Sequence, residues 1–181
     1  MVNVVCVYWG NKYSPDYVSK LYNMVKRNLS IPFNFIVYTD HPSQTFAHLK
    51  GNCLYFDLDV VILDNIDELA TFGDDDTFGV INDFNPNSTV YNSSIMKFNN
   101  KTADYVWKSF KEDENNMLRN HGDQNVISHF MKKTPYTKVM PDEWTFSYKW
   151  YDRVNPRIDK SQMTFDKRPN TKVCVFHGQP N

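Results

Sequence analysis

The sequence predicts an α/β fold, and three observations carry that prediction. The chain opens β, α, β, with an apolar run at residues 3–9, a helical pattern after Pro15 and a second apolar run at residues 34–39. Residues 54–63, LYFDLDVVIL, are apolar apart from two carboxylates, Asp57 and Asp59. Apolar runs on both sides of that pair suit a strand that is buried on both faces and emerges at a polar edge. Open α/β sheets bind their ligands at such edges, beyond the carboxyl ends of the strands.

The first strand, residues 3–9, runs into a polar loop at 10–14. A helix opens at Ser14 and Pro15, because proline is pre-set for the first helical position and Tyr17, Leu21, Met24 and Val25 recur at helical spacing. The second strand, 34–39, ends at Asp40, and a loop with Pro42 leads to the strand bearing Asp57 and Asp59. Residues 65–72 read as a short helix capped by Asp64 or Asn65. Residues 78–81 and 94–98 read as strands joined by a turn-rich segment, 82–88. An amphipathic helix is expected over 102–119, with Val106, Phe110 and Leu118 among its apolar positions, and another over 123–131. The C-terminal third holds short strands, of which 173–176 is the clearest.

At 181 residues the chain is one ordinary domain, able to bury ~70% of the surface its unfolded form exposes. Its 20 basic and 21 acidic residues give a net charge of -1, and the basic residues are scattered. That argues against a nucleic-acid partner held by phosphate neutralisation. Cys6, Cys53 and Cys174 are odd in number and each lies in an apolar run, which predicts buried free thiols and a reducing, cytoplasmic setting. The first apolar run lacks a basic n-region and a small-residue cleavage site, so it reads as a strand rather than a signal peptide. No run approaches the ~18 apolar residues of a membrane span. The acidic cluster at 73–76 lacks the spaced ligands of an EF-hand loop and reads as a solvated turn.

Chemistry concentrates in four places. On a strand Asp57 and Asp59 project to one side, close enough to hold one divalent cation, although strand-end aspartates also cap helices or face water. Asn92-Ser93-Ser94 leads a polar group directly into an apolar strand. Gly122-Asp123-Gln124 lies at a helix start, where side chains and free backbone amides can meet a ligand, and Asp123 could equally serve as a cap. The fourth is residues 175–180, VFHGQP, with His177 at its centre.

With these motifs the chain resembles glycosyltransferases of the GT-A fold, particularly the retaining group that contains glycogenin and the bacterial lipopolysaccharide galactosyltransferases. The resemblance runs from Val4 to Pro180. It implies one α/β domain, Rossmann-like, with a mixed central sheet flanked by helices. Residues 1–64 would form its nucleotide-binding half and residues 65–181 its donor-sugar and acceptor half. It implies Asp57, Asp59 and His177 as ligands of Mn2+ or Mg2+, a nucleotide sugar such as a UDP-sugar as donor, a carbohydrate or other hydroxyl as acceptor, and retention of configuration. Asn92 and Ser93 would border the donor sugar, with Ser94 where the family usually has glycine. Asp123 and Gln124 would contact the sugar hydroxyls and the reacting face, as the catalytic pair. Tyr8, Trp9, Asn11 and Asp40 match positions that hold the base and ribose, where an aromatic face can stack on uracil and a carboxylate can accept from the imide or a hydroxyl. Asp83 is a further sugar-side candidate. Lys149, in a W-x-x-S-Y-K segment like that of some bacterial members, would bring positive charge to the phosphates. The family usually carries Lys-Pro after the His-Gly motif, whereas the sequence here closes at Asn181.

Only 16 residues, 41–56, separate Asp40 from Asp57, so a minimal version of the fold is expected. Trp144, Trp150 and Tyr151 are the candidates for a sugar-stacking surface. Two other readings stay open. A haloacid-dehalogenase-like phosphatase would use Asp57 as nucleophile, although its D-x-D strand normally opens the domain and His177 would have no part. A nucleotide-sugar or carbohydrate-binding domain with weak turnover would fit the missing Lys-Pro.

Overall fold

The structure is a computed structural model that describes residues 1–39, 49–85, 87–117, 122–149 and 170–176. Strand β1 (Val2–Tyr8), helix α1 (Asp16–Asn28) and strand β2 (Phe33–Thr39) form the expected opening unit. β1 and β2 pair in parallel from Val2 opposite Phe33 to Tyr8 opposite Thr39. α1 buries Leu21 and Val25 and ends on Lys26 and Arg27, whose charges complement the carbonyl end of the helix. Strand β3 (Cys53–Phe56) pairs in parallel with the other edge of β1. The chain then continues through β4 (Val60–Ile62), the short helix α2 (Asp67–Ala70), β5 (Phe78–Asn82) and β6 (Tyr91–Phe98). Helices α3 (Asn100–Glu112), α4 (Glu114–Met117) and α5 (Asp123–Met131) follow, then β7 (Thr137–Val139), β8 (Thr145–Ser147) and β9 (Val173–Val175).

Six strands build a mixed sheet in the order β2-β1-β3-β6-β5-β7, in which β6 runs antiparallel to both its neighbours. A smaller sheet has the order β4-β9-β8. Period-two alternation divides the large sheet's side chains between two apolar clusters. Val4, Cys6, Leu54, Phe56 and Ile95 face a cluster shared with α1, α2 and the small sheet. Val5, Cys53, Val80, Met96 and Phe98 face one shared with Ala103, Val106 and Ile127 of α3 and α5. Helices and the small sheet thus cover both faces of the large sheet, which is the α/β architecture expected.

Three elements differ from the expectation. The run 54–63 is not one strand. β3 stops at Phe56, residues 57–59 turn, and β4 joins the other sheet. The break is a change of partner: β3 pairs with β1 and β6, whereas β4 pairs with β9. The helix expected over 102–119 begins earlier, at Asn100, and breaks at Asp113 before α4. The helix expected over 65–72 contracts to Asp67–Ala70, although Asn65 does accept the Asp67 amide at 2.9 Å.

Candidate active site

The strand order reverses direction at β1: the chain passes through α1 to β2 on one side and returns to β3 on the other. That reversal opens a crevice at the carboxyl ends of β1 and β3. The registers bring the sequence candidates to this edge. Tyr8 ends β1 opposite Thr39, Phe56 precedes Asp57 and lies opposite Ile95, and Asn82 precedes Asp83 and lies opposite Tyr91. β6 runs the other way, so its first half, with Asn92, Ser93 and Ser94, arrives at the same edge.

Asp57 and Asp59 flank Leu58, which is buried in the core and anchors the turn. The backbone is tied at both ends, since the Asp57 amide donates to the Ser94 carbonyl at 2.9 Å and the Phe176 amide donates to the Asp59 carbonyl at 2.9 Å. Each carboxylate also accepts a phenol: the Tyr55 hydroxyl donates to Asp57 Oδ1 at 2.7 Å and the Tyr13 hydroxyl to Asp59 Oδ2 at 2.7 Å. Burial pushes the Asp57 carboxyl above its ordinary value, the Tyr55 and Ser94 hydroxyls pull it back, and the charges of Asp59 and Asp123 push it up again. Burial and the bond to Asp59 raise the Tyr13 phenol, and burial followed by the Asp57 charge raises Tyr55, so both remain protonated donors.

Asp123 opens α5 behind Gly122, which adopts φ 144. No side chain caps this helix, so Asp123 is not serving as its cap, and its charge is felt by Asp57 and Tyr55. Gln124 follows and donates from Nε2 to Asp83 Oδ2 at 3.1 Å. Asp83 Oδ2 also accepts the Ser88 hydroxyl at 3.0 Å, and Asp83 Oδ1 the Asn85 amide at 2.8 Å. Asn92 is buried and its Oδ1 accepts the Ser94 amide at 2.9 Å, inside an irregularity where pairing jumps from Val80–Met96 to Ile81–Asn92. This bulge re-aims the Asn-Ser-Ser backbone and brings Ser94 onto Asp57.

Tyr8 is half-buried against the core, Trp9 is 67% exposed, and the turn continues through Gly10, at φ 63, to the exposed Asn11. Lys149 is exposed two residues beyond β8, its amide donating to the Ser147 hydroxyl at 3.0 Å. Asp40 and His177 lie outside the described residues, as do Trp150 and Tyr151. Trp144 is partly buried, edge-on to Phe72 at 5.8 Å and beneath the Lys172 ammonium at 5.4 Å. Tyr13 and Tyr55 escaped the sequence reading. The signal for Tyr55 is present in the alternation, which puts residues 55 and 57 on one face; that for Tyr13 is not, because 46 positions separate it from Asp59.

Among the described residues no three His, Cys, Asp or Glu side chains come together as a metal site. Asp57 and Asp59 form a pair, and their chemistry fits a hard divalent cation: the donors are carboxylate oxygens, and the Asp57 carboxyl is crowded by the like charges of Asp59 and Asp123, which a cation would offset. Among the described residues no helix is long and apolar enough to cross a membrane.

No protein-family model matches the chain, and no curated protein matches it in sequence. Solved structures do. An active-site mutant of LgtC superposes with a TM-score of 0.63 at 12% identity, covering 98% of this chain and 88% of that one. The apo form of the glycosyltransferase GlyE of Streptococcus pneumoniae gives a TM-score of 0.70 at 14% identity, and 98% of this chain spans 54% of that one, about half its length. A glycosyltransferase involved in glycosylation of the major capsid of PBCV-1 gives 0.62 at 13% identity, covering 99% of this chain and 94% of that one. In a phosphatase of the haloacid-dehalogenase type the D-x-D strand opens the domain, whereas β3 here is the third strand. The chain has the GT-A glycosyltransferase fold.

Proposed function

We propose that this protein is a metal-dependent glycosyltransferase, a hexosyltransferase that moves a sugar from a UDP-sugar to a carbohydrate or other hydroxyl acceptor with retention of configuration. The observation that carries the reading is the turn at 57–59. Two aspartates are held by backbone and side-chain bonds at the crevice between β1 and β3, and the Phe176 amide on the Asp59 carbonyl brings the chain to the residue before His177. Asp57, Asp59 and His177 would hold Mn2+ or Mg2+, which supplies Lewis-acid stabilisation of the diphosphate leaving group.

The chain's own residues divide the rest of the work within one domain. In the 1–64 half, Tyr8, Trp9, Asn11 and Asp40 hold the base and ribose. In the 65–181 half, Asn92 and Ser93 border the donor sugar, Asp123 meets its hydroxyls, and Lys149 supplies charge to the phosphates. Gln124 faces the reacting carbon, with Asp83 behind it. No carboxylate is assigned as a covalent nucleophile, so the acceptor hydroxyl attacks from the face the leaving group departs. Calorimetry with UDP and Mn2+, together with UDP release from a panel of UDP-sugars, tests the reading. Wild type is expected to bind UDP in a Mn2+-dependent way and to release UDP, and Asp57→Ala and His177→Ala to lose at least ~10-fold in that binding. Equal binding by wild type and both variants would refute the metal assignment, and binding without UDP release would mark a binding domain.

A further inference from the structure

We infer that Tyr55 and Tyr13 are positioning residues for the metal, each holding one carboxylate of the 57–59 turn in orientation before a cation arrives. The inference rests on the metal reading above and assigns the site two residues outside its ligand set. A carboxylate on a turn is free to rotate about its Cβ–Cγ bond, and ordering it on binding costs affinity. Here that rotation is arrested twice, from two different elements.

Tyr55 reaches Asp57 Oδ1 at 2.7 Å from β3, with its ring packed against the α3/α5 cluster. Tyr13 reaches Asp59 Oδ2 at 2.7 Å from the segment between β1 and α1, its ring set 5.0 Å from that of Tyr17 and 4.7 Å from the Lys12 ammonium. In both pairs the phenol engages one named oxygen, and at Asp57 the Ser94 hydroxyl adds a second side-chain contact. The backbone ties at Ser94 and Phe176 fix where each aspartate starts, and the phenols fix where its oxygens point. Tyr13 has a further consequence. It belongs to the loop that carries Trp9 and Asn11, so its bond to Asp59 spans the crevice and links the nucleotide-side loop to the metal turn.

The test uses Tyr55→Phe and Tyr13→Phe, which remove one oxygen each and keep the packed ring. Calorimetry with Mn2+ alone, and with Mn2+ in the presence of UDP, gives the affinities, and thermal unfolding of the metal-free protein gives the structural contribution. The expected result is a Mn2+ affinity weaker by ~10-fold or more in each variant, the usual size of an outer-sphere effect. A purely structural role would lower the melting temperature and leave the Mn2+ affinity of the folded protein unchanged. Wild type that binds Mn2+ with both variants equal to it would overturn the inference and spare the metal reading, and an effect in one variant alone would overturn it for the other tyrosine. Wild type that binds no Mn2+, with or without UDP, would remove the metal reading and this inference with it.

Discussion

Asp83 can only accept hydrogen bonds when ionised, and this decides how Gln124 is presented. The end of the Gln124 amide that meets Asp83 has to be the NH2, which leaves the carbonyl oxygen at the other end, turned away from Asp83. Ser88 and the Asn85 amide hold Asp83 in turn, so a chain of contacts from the 83–88 segment sets the rotamer of a residue on a different element. Asp83 was expected as a sugar contact from its place after a strand. Its carboxylate accepts from three protein donors, Gln124 among them. Asp83→Ala is expected to lower kcat by between ~10-fold and ~100-fold while leaving Mn2+-dependent UDP binding intact, since misplacing one group at a reacting centre costs about that much. Steady-state UDP release alongside calorimetry checks it. A proportional loss of UDP affinity would instead put Asp83 in the donor site itself.

Among the elements, α3 shows how a helix start can organise its surroundings. Asn99 and Thr102 form a reciprocal capping box, with the Asn99 side chain accepting the Thr102 amide at 3.0 Å. Asn99 Nδ2 also donates to the Asp75 carbonyl at 2.6 Å, which fastens the acidic 73–76 turn to the helix, and the buried Lys97 ammonium donates to the Asp74 carbonyl from β6. Asn99→Ala is expected to destabilise the protein by about 1–2 kcal/mol, read as a fall of ~2–8 °C in thermal unfolding. An unchanged melting temperature would mean that the cap contributes nothing. The cap escaped a reading that began this helix at residue 102, because an Asn-Asn pair after a strand gives no apolar period to follow. The signal for the break at Asp113 is slight: one turn after Phe110 the positions that should continue its apolar face are Asp113 and Glu114, and the stripe resumes only at Met117. By contrast β1, α1, β2 and α5 were legible, because each carries its own period or a start signal. The end of β3 was not, since the run 54–63 stays apolar while its pairing partner changes from β1 and β6 to β9. That change of sheet is information held by strands distant in sequence.

For the whole molecule the question is whether its two sheets open together. The small sheet contributes Val60, Ile62, Val173 and Val175 to the same apolar cluster that holds Val4, Cys6 and Leu21 from β1 and α1, so separating it would expose the centre of that layer. The three cysteines report on this from three strands: Cys6 on β1, Cys53 on β3 and Cys174 on β9, all buried and free. Burial pushes the Cys6 and Cys174 thiols up to about 12 and the Cys53 thiol to about 11. Because each folded value is raised above the ordinary one, near 9, the contribution of neutral burial is complete below pH 9 and is lost progressively from there to about pH 11–12. Stability to urea is therefore expected to fall as pH rises above 9. At pH 8 the native thiolate fraction is lower by ~100-fold or more than in the unfolded chain, so iodoacetamide reaches these sulfurs only through opening. If the two sheets share one cooperative core, Cys6, Cys53 and Cys174 will be alkylated at one common rate, measured by mass spectrometry of the digested protein over time. Faster labelling of Cys174 alone would show instead that the small sheet opens on its own, and with it the strand that leads into His177.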